Sequence, residues 1–265
     1  MFAPQTEWLP PQDFPDLSDH EEIAIDLETK DPNLKTMGSG SITGTGEIVG
    51  IALAVNGWSG YYPIAHEGGG NMDKKKVLDY FRKVLNLPAT KIFHNAMYDV
   101  CFIRAAGLDI AGDIVDTMIA GSLVDENRFR YDLGSMGRDY LGRGKNEAVL
   151  AETAAVWGVD AKSEMYKLPA MYVGEYAERD AELTLDLWQE MKKEIYAQDL
   201  ESIFTLEKEL FPCLVDMRFL GVRVDLEAAS QLKDKLSLEE KECLQKVKKE
   251  TGVDTQIWAA RSIAQ

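Results

Sequence analysis

Asp26 and Glu28 are the first residues of this chain whose types and spacing point to chemistry. They lie in the stretch EEIAIDLETKDP, where Ile23, Ile25 and Leu27 alternate with the two acids. Side chains alternate between the faces of a strand, so the apolar trio lies on one face and both carboxylates on the other. Because adjacent carboxylates repel each other and acids are depleted in strands, something must compensate this pair.

Two further motifs each carry an acid and a polar partner four residues away. HNAMYD (94–99) follows a predicted strand and enters a helix, which places Asn95 and Asp99 on one helix face. YAERD (176–180) lies within a predicted helix, where Tyr176 and Asp180 also share a face.

Asp26, Glu28, Asp99 and Asp180 together predict a site for divalent cations. Carboxylates gathered in one pocket cannot all ionise without compensation, and oxygen-only ligands suit Mg²⁺ or Mn²⁺ rather than zinc. Two such ions about 4 Å apart promote in-line phosphoryl displacement by activating a water and stabilising the attacking and leaving oxygens. Tyr176, one helical turn from Asp180, is placed to orient that water.

The elements that must position these residues alternate between strand and helix. After the acidic strand, the pattern predicts strands at 48–55, 60–65, 90–95 and around 114–116, and helices at 73–86, 96–107 and from 117. The Gly- and Ser-rich residues 30–47 are predicted to form a long loop. After the helix that begins at residue 117, the pattern stays helical to about residue 195. This order predicts an α/β fold, a mixed sheet with helices on both faces.

The predicted organisation has three parts. Residues 1–19 are a Pro-rich, extended lead-in without the basic and apolar regions of a signal peptide. Residues 20–195 form the domain that contains the acidic motifs. Residues 196–265 are charged and mainly helical, and the apolar ending IWAARSIAQ, without an end cap, predicts a domain that continues or a natural terminus.

Composition bears on the partners of the protein. The formal net charge is −16, from 45 acidic and 29 basic residues, which by itself argues against nucleic-acid binding. The sequence has no apolar run of 18 residues, so no membrane partner is predicted. Its three cysteines are widely spaced, which indicates reduced thiols in a cytosolic compartment rather than disulfides or a zinc site.

The motifs DLET, HNAMYD and YAERD, in this order, resemble the three exonuclease motifs of the DnaQ-like 3′–5′ exonucleases. The resemblance is greatest to the tyrosine-subclass proofreading domain of bacteriophage-type family A DNA polymerases, because Tyr176 lies four residues before Asp180. It covers residues 20–195 and implies a ribonuclease-H-like fold. The segment LEKELFPCLVDMRFLGVRVDLEAASQL is similar to the start of the thumb region of those polymerases.

The resemblance implies roles for the site residues. Asp26, Glu28 and Asp180 would hold the ion that carries the nucleophilic water, with Asp26 bridging to a second ion and Asp99 reaching that ion directly or through water. Tyr176 would hold the water. Thr29 and Asn95 would place the 3′-terminal nucleotide, and the product would be a 5′-nucleoside monophosphate.

The implied partners are a single-stranded DNA 3′ end and a polymerase portion that is missing from this chain or separate. The net charge then implies weak DNA affinity for this segment alone, and the implied location is the bacterial cytosol, with a phage as the potential source. Two alternatives stay open: an exoribonuclease of the ribonuclease D type, which shares the motifs, and an exonuclease fold that no longer cuts.

Four other features of the sequence are interpreted outside the metal site. His94 is interpreted as structural, Asp116 as a helix N-cap, and the Gly-rich residues 38–46 as a loop near the substrate strand. Lys145, which follows LGRG, is a candidate for a phosphate contact.

Overall fold

A five-stranded mixed sheet forms the centre of the computed structural model, which describes residues 5–145 and 147–264. The strands are β1 (Glu22–Lys30), β2 (Glu47–Val55), β3 (Trp58–Pro63), β4 (Thr90–Phe93) and β5 (Ile114–Asp116). Their order is β3-β2-β1-β4-β5, with β1 antiparallel to β2 and parallel to β4. The predicted mixed sheet is confirmed, and the acidic strand β1 is its central strand.

Helices cover both faces of this sheet. They are α1 (Leu34–Met37), α2 (Gly40–Thr43), α3 (Lys74–Leu85), α4 (Ala96–Ala105), α5 (Thr117–Val124), α6 (Leu133–Leu141), α7 (Ala148–Trp157), α8 (Gly174–Ala197), α9 (Glu201–Leu220), α10 (Leu226–Thr251) and α11 (Ala260–Ile263). The predicted loop between β1 and β2 therefore contains two single-turn helices. Asp31 accepts a hydrogen bond from the backbone N–H of Gly40, which shapes this segment locally.

Strand β1 separates two apolar cores. Ile23, Ile25 and Leu27 pack into the core that contains residues of α3 and α4, as their alternation predicts. Ala24 faces the other core, which contains buried residues of α8. Asp26 and Glu28 share the face of Ala24, so both acids point toward the α8 side of the sheet.

Small residues let α8 approach this face of the sheet closely. The cross-strand neighbours of Ala24, Asp26 and Glu28 on β2 are Ala54, Ala52 and Gly50. On α8, Ala177 and Ala181 are fully buried. With so little side-chain bulk between helix and strands, groups on α8 lie near the carboxylates of β1.

The edge strand β3 also packs along α8. Glu178 of α8 accepts a hydrogen bond from the backbone N–H of Tyr61 at 3.0 Å, and Glu182 accepts one from the Ser59 hydroxyl at 2.7 Å. The structure begins β3 at Trp58 rather than at residue 60, because the ladder with β2 already starts with the Val55–Trp58 pair.

The chain forms two compact units, the first ending at Phe219 and the second beginning at Leu220. Phe211 and Val215 of α9 are buried in the first unit, which therefore extends beyond residue 195. In the second unit, Asp225 caps α10 by accepting a hydrogen bond from the N–H of Ala228. Among the described helices, none combines the length and the apolar character needed to cross a bilayer.

His66 joins β3 to the segment that precedes α8. Its Nε2 accepts a hydrogen bond from the Tyr61 hydroxyl at 2.6 Å, and its Nδ1–H donates to the Leu168 carbonyl at 3.0 Å. The Tyr61 hydroxyl occupies the space above Gly50, where a Cβ would lie 2.0 Å away. Burial lowers the pKa of His66 to about 4, so His66 is neutral in the folded protein at pH 7.

The neutral state of His66 predicts a pH-dependent stability. A histidine with a depressed folded-state pKa contributes stability above its unfolded pKa of about 6.5, and this contribution is lost as the pH falls toward 4. Between pH 7.5 and 5 the loss from His66 is about 2 kcal/mol. We expect His66→Gln to show a correspondingly smaller drop in urea-unfolding free energy than the wild type. Equal drops in both proteins would contradict this assignment.

Candidate active site

Strand β1 supplies Asp26 and Glu28, which lie two residues apart on its α8 face. Both side chains are half-buried. The pairing of β1 with β2 shifts register between Glu28 and Thr29, which marks a bulge directly after the second acid. Bulges redirect the chain beside functional sites, and here the bulge ends the regular part of the acidic strand.

Helix α4 brings Asp99 to the same strand. Asp99 is buried, and its Oδ1 accepts a hydrogen bond from the backbone N–H of Leu27 at 3.0 Å. Leu27 lies between Asp26 and Glu28, so this bond fixes the first turn of α4 beside both β1 acids. The contact brings Asp99 to the acidic strand, as the motifs predict.

Asp116 holds the beginnings of two helices. As predicted, it caps α5 by accepting a hydrogen bond from the Met118 N–H at 2.8 Å. It also accepts hydrogen bonds from the N–H groups of Asn95 (2.9 Å) and Ala96 (2.8 Å) at the start of α4. This second contact orients the helix that carries Asp99.

Helix α8 contributes Tyr176 and Asp180 on one face, and both side chains are buried. The helix is anchored to the beginning of β1 through Glu22. The carboxylate of Glu22 accepts hydrogen bonds from Trp188 (2.9 Å), Gln189 (2.8 Å) and Lys192 (2.8 Å). These contacts fix α8 against the strand that carries Asp26 and Glu28.

The four acids share an environment that disfavours their ionised forms. Burial raises the pKa of Asp26 to about 7, with a further contribution from Asp180. Burial and the charges of Asp26 and Asp180 raise the pKa of Glu28 well above its ordinary value. Burial and Asp26 do the same to the pKa of Asp99. Each carboxylate thus disfavours ionisation of its neighbours.

Tyr176 remains a neutral phenol in this environment. Burial, followed by the charges of Asp180, Glu28 and Asp26, raises the pKa of Tyr176 far above its ordinary value. A phenol with such a pKa cannot act as a general base near neutral pH, but it can donate and accept hydrogen bonds.

Lys145 enters the site from the segment between α6 and α7. Its Nζ forms an ion pair with Asp180 Oδ2 and lies 3.1 Å from the Tyr176 hydroxyl oxygen. A phosphate contact is predicted for this lysine from the sequence. Its ion pair is not visible in any local pattern, because the partners are 35 residues apart. The anchoring role of Glu22 was missed for the same reason.

Oxygen ligands make a divalent cation the metal that fits this site. Asp180 Oδ1 is buried without a hydrogen-bond partner, and the raised pKa values mark an excess of negative potential that a cation would relieve. In residues 5–145 and 147–264, however, no three His, Cys, Asp or Glu side chains converge closely enough to enclose an ion. The donor types fit a divalent cation, and one of the four acids, Asp180, is paired with Lys145.

The Thr29 hydroxyl is engaged by a neighbouring side chain, whereas the Asn95 side chain is exposed. The Thr29 hydroxyl is 2.8 Å from that of Tyr98, which donates to Asp31 at 3.2 Å. Asn95 precedes α4 in the left-handed region (φ 66°), and its exposed side chain does not cap the helix. The expectation that Asn95 and Asp99 share a helix face is therefore wrong, because Asn95 lacks helical backbone geometry.

His94 and residues 38–46 have structural contacts. The Thr117 hydroxyl donates to the Phe93 carbonyl, so the assigned tautomer of His94 donates from Nδ1 to Thr117 Oγ at 2.8 Å. Within residues 38–46, Gly40 and Ser41 are buried. Gly46 leaves no room for a Cβ, which would lie 2.9 Å from the Phe102 ring. This loop is therefore packed onto α4.

Residues 14–196 match a family described as 3′–5′ exonuclease. A DNA-directed DNA polymerase of Pseudomonas phage M6 is 34% identical to this chain over 254 residues. That alignment covers 93% of the chain and 38% of the polymerase, so the chain spans little more than a third of that relative's length.

Solved structures with low sequence identity share the fold. Brucella melitensis NrnC with bound Mg²⁺ has a TM-score of 0.56 at 17% identity, covering 78% of this chain and 89% of NrnC. Escherichia coli RNase D, an exoribonuclease involved in structured RNA processing, has a TM-score of 0.53 at 16% identity, covering 78% of this chain and 47% of RNase D. The mixed sheet and its helices are thus the ribonuclease-H-like fold that the motifs implied. With the family match over residues 14–196, the chain belongs to the 3′–5′ exonuclease family of the family A DNA polymerases.

Proposed function

We propose that this chain is a two-metal-ion 3′–5′ exodeoxyribonuclease that proofreads for a family A DNA polymerase. It would hydrolyse the 3′-terminal phosphodiester of DNA and release 5′-nucleoside monophosphates. The observation that carries this proposal is the set of four carboxylates that β1, α4 and α8 supply, each with a raised pKa. Such a site is suited to cations and to substrates that bring cations with them.

The four acids would together hold two Mg²⁺ or Mn²⁺ ions. Asp26, Glu28 and Asp180 are assigned to one ion, with Asp26 bridging to the second and Asp99 completing it. When bound, the ions would supply an activated water and charge stabilisation for phosphoryl displacement. Asp99 uses Oδ1 for the Leu27 N–H, which leaves Oδ2 for the ion or its water. The unpartnered Asp180 Oδ1 is the corresponding free oxygen on α8.

Tyr176 would orient the attacking water through its hydroxyl. Its raised pKa supports a hydrogen-bonding role rather than that of a base. Thr29 and Asn95 are assigned to the 3′-terminal nucleotide. The exposed Asn95 side chain is accessible to a ligand, whereas the Thr29 hydroxyl would first have to exchange its bond with Tyr98.

DNA is favoured over RNA because the phage relative is a DNA polymerase. An exoribonuclease is the second candidate because the fold is also similar to that of RNase D. It ranks second because that similarity concerns the fold alone. A non-cutting fold is disfavoured because the four acids and Tyr176 are all present. The phage relative also supports a phage-encoded protein that acts in the bacterial cytosol.

The charge distribution supports weak DNA binding by this chain alone. Lys145, Lys30 and Lys167 are paired with Asp180, Glu67 and Glu164, respectively. Paired lysines neutralise fewer phosphates, so we assign most of the DNA-holding surface to the polymerase portion that is missing from this chain or separate.

Asp26→Ala and Asp180→Ala test the proposed ligand set. Each should lower the rate of degradation of a 5′-labelled single-stranded DNA about a thousandfold, because each removes a ligand worth several kcal/mol of transition-state stabilisation. The assay resolves products shortened from the 3′ end at low salt, with Mg²⁺ or Mn²⁺, and EDTA should abolish the ladder.

The matched control is Glu190→Ala, which removes a carboxylate from the same helix. Glu190 pairs with Lys193 and makes no contact with the four acids, so this variant should keep wild-type activity. A wild-type rate in Asp26→Ala, or a ladder that persists in EDTA, would refute the two-metal proposal.

Tyr176→Phe separates water orientation from packing, because it removes only the hydroxyl. We expect kcat to fall about 10- to 100-fold with KM for DNA nearly unchanged, since the water loses its alignment while the acids remain. Circular dichroism should confirm the wild-type fold. An unchanged kcat would assign Tyr176 to packing alone.

Paired DNA and RNA substrates of one sequence decide between the two nuclease candidates. The DNA strand should be degraded faster under identical metal and salt conditions, and a strand with a single 3′-terminal ribonucleotide should locate the discrimination at the cleaved end, because the 2′-hydroxyl distinguishes the substrates. Faster degradation of the RNA strand would favour the ribonuclease D type.

A further inference from the structure

Lys145 places a positive charge within the proposed metal site. Its side chain is 22% exposed, and its ammonium contacts both Asp180 and Tyr176. Nζ also lies 5.2 Å from the centroid of the Tyr176 ring, which adds a cation–π attraction. The lysine is therefore held inside the site.

The ammonium faces three of the four acids. Its charge lowers the pKa values of Asp26 and Glu28 against the larger effect of burial, and the pair with Asp180 acts in the same direction. The effect is mutual: burial lowers the pKa of Lys145, and the three acids more than offset this. Lys145 thus provides part of the compensation that these acids require, since the pKa values of Asp26 and Glu28 stay raised in its presence.

This arrangement conflicts with simultaneous binding of an ion at Asp180. The Oδ2 atom of Asp180 is engaged by the ammonium, and a divalent cation in contact with Asp180 would lie close to a like charge. The Tyr176 hydroxyl, which is assigned to the attacking water, is also engaged by this ammonium.

Lys145 lies between two helices and belongs to neither of them. Gly142 ends α6 in the left-handed region (φ 66°), and Lys145 precedes α7 rather than lying within a helix. The ammonium stands at the end of a flexible four-carbon stem, so it can move without a change in either helix.

We propose that Lys145 is the resident counter-cation of the metal-free site, where its ammonium holds Asp180 and Tyr176 until a divalent cation displaces it. This inference rests on the proposed function, because it assumes that the acids bind metal. Lys145 acts through Asp180 and is a positioning residue. Removing it should leave the site open to metal but poorly compensated without metal.

Manganese affinity tests the exchange. Free Mn²⁺ is measured by electron paramagnetic resonance at pH 8 and low salt, without DNA, for the wild type, Lys145→Met and Lys145→Arg. We expect Lys145→Met to bind Mn²⁺ about tenfold more tightly, because no ammonium has to be displaced. Lys145→Arg keeps the charge and should stay within about threefold of the wild type.

Lys193→Met is the matched control, because it removes one lysine charge from an exposed pair with Glu190. It should bind Mn²⁺ like the wild type. Equal affinities in the wild type and Lys145→Met would overturn the inference and leave the metal site intact. Absence of Mn²⁺ binding in all of these proteins would overturn the inference and the proposed metal site together.

Lysine acylation gives an independent result on the wild-type protein, even if Lys145→Met does not fold. Acetic anhydride labelling followed by peptide mass spectrometry compares Lys145 with Lys193 as Mn²⁺ is added. Labelling of Lys145 should rise several-fold as its ammonium leaves the site, while that of Lys193 stays constant. Unchanged labelling of Lys145 at saturating Mn²⁺ would overturn the displacement.

Discussion

The repulsion among four carboxylates, two buried and two half-buried, is the constraint on which the rest of this structure depends. Like charges that were free to move would separate into solvent, so the fold must hold these acids together by contacts with groups outside the cluster. The Leu27 N–H fixes Asp99, and the three donors around Glu22 fix the helix that carries Asp180. The small residues opposite the acids on β2 let that helix approach. The energetic cost of the cluster is thereby offset by packing and by backbone and side-chain hydrogen bonds.

Much of the fold was accessible from local sequence patterns. The alternation in β1 gave both faces of the central strand, and the order of strands and helices gave the mixed sheet. The cap of α5 by Asp116 followed from residue type and position. The two single-turn helices after β1 were missed, because their four-residue lengths carry no helical periodicity.

The candidate site was predictable where its parts lie within one element. Two acids on one strand face, and a tyrosine and an acid one helical turn apart, are visible from spacing alone. Lys145 and Glu22 act through partners 35 and more than 160 residues away, and no local pattern encodes such contacts. For Asn95, a local pattern predicted a shared helix face with Asp99 that the structure does not have. The helical spacing rule fails there because Asn95 lies just outside the helix.

The contacts of Glu178 and Glu182 with β3 affect how the sheet meets other proteins. An edge strand with free N–H groups is a template for strand addition, and β3 is one edge of this sheet. The Tyr61 N–H is already satisfied by the Glu178 carboxylate, and these acids place negative charge along that edge. The opposite edge, β5, is only three residues long. Both edges are thus poor acceptors of a further strand, which protects the sheet from edge-to-edge aggregation while leaving its acidic face available.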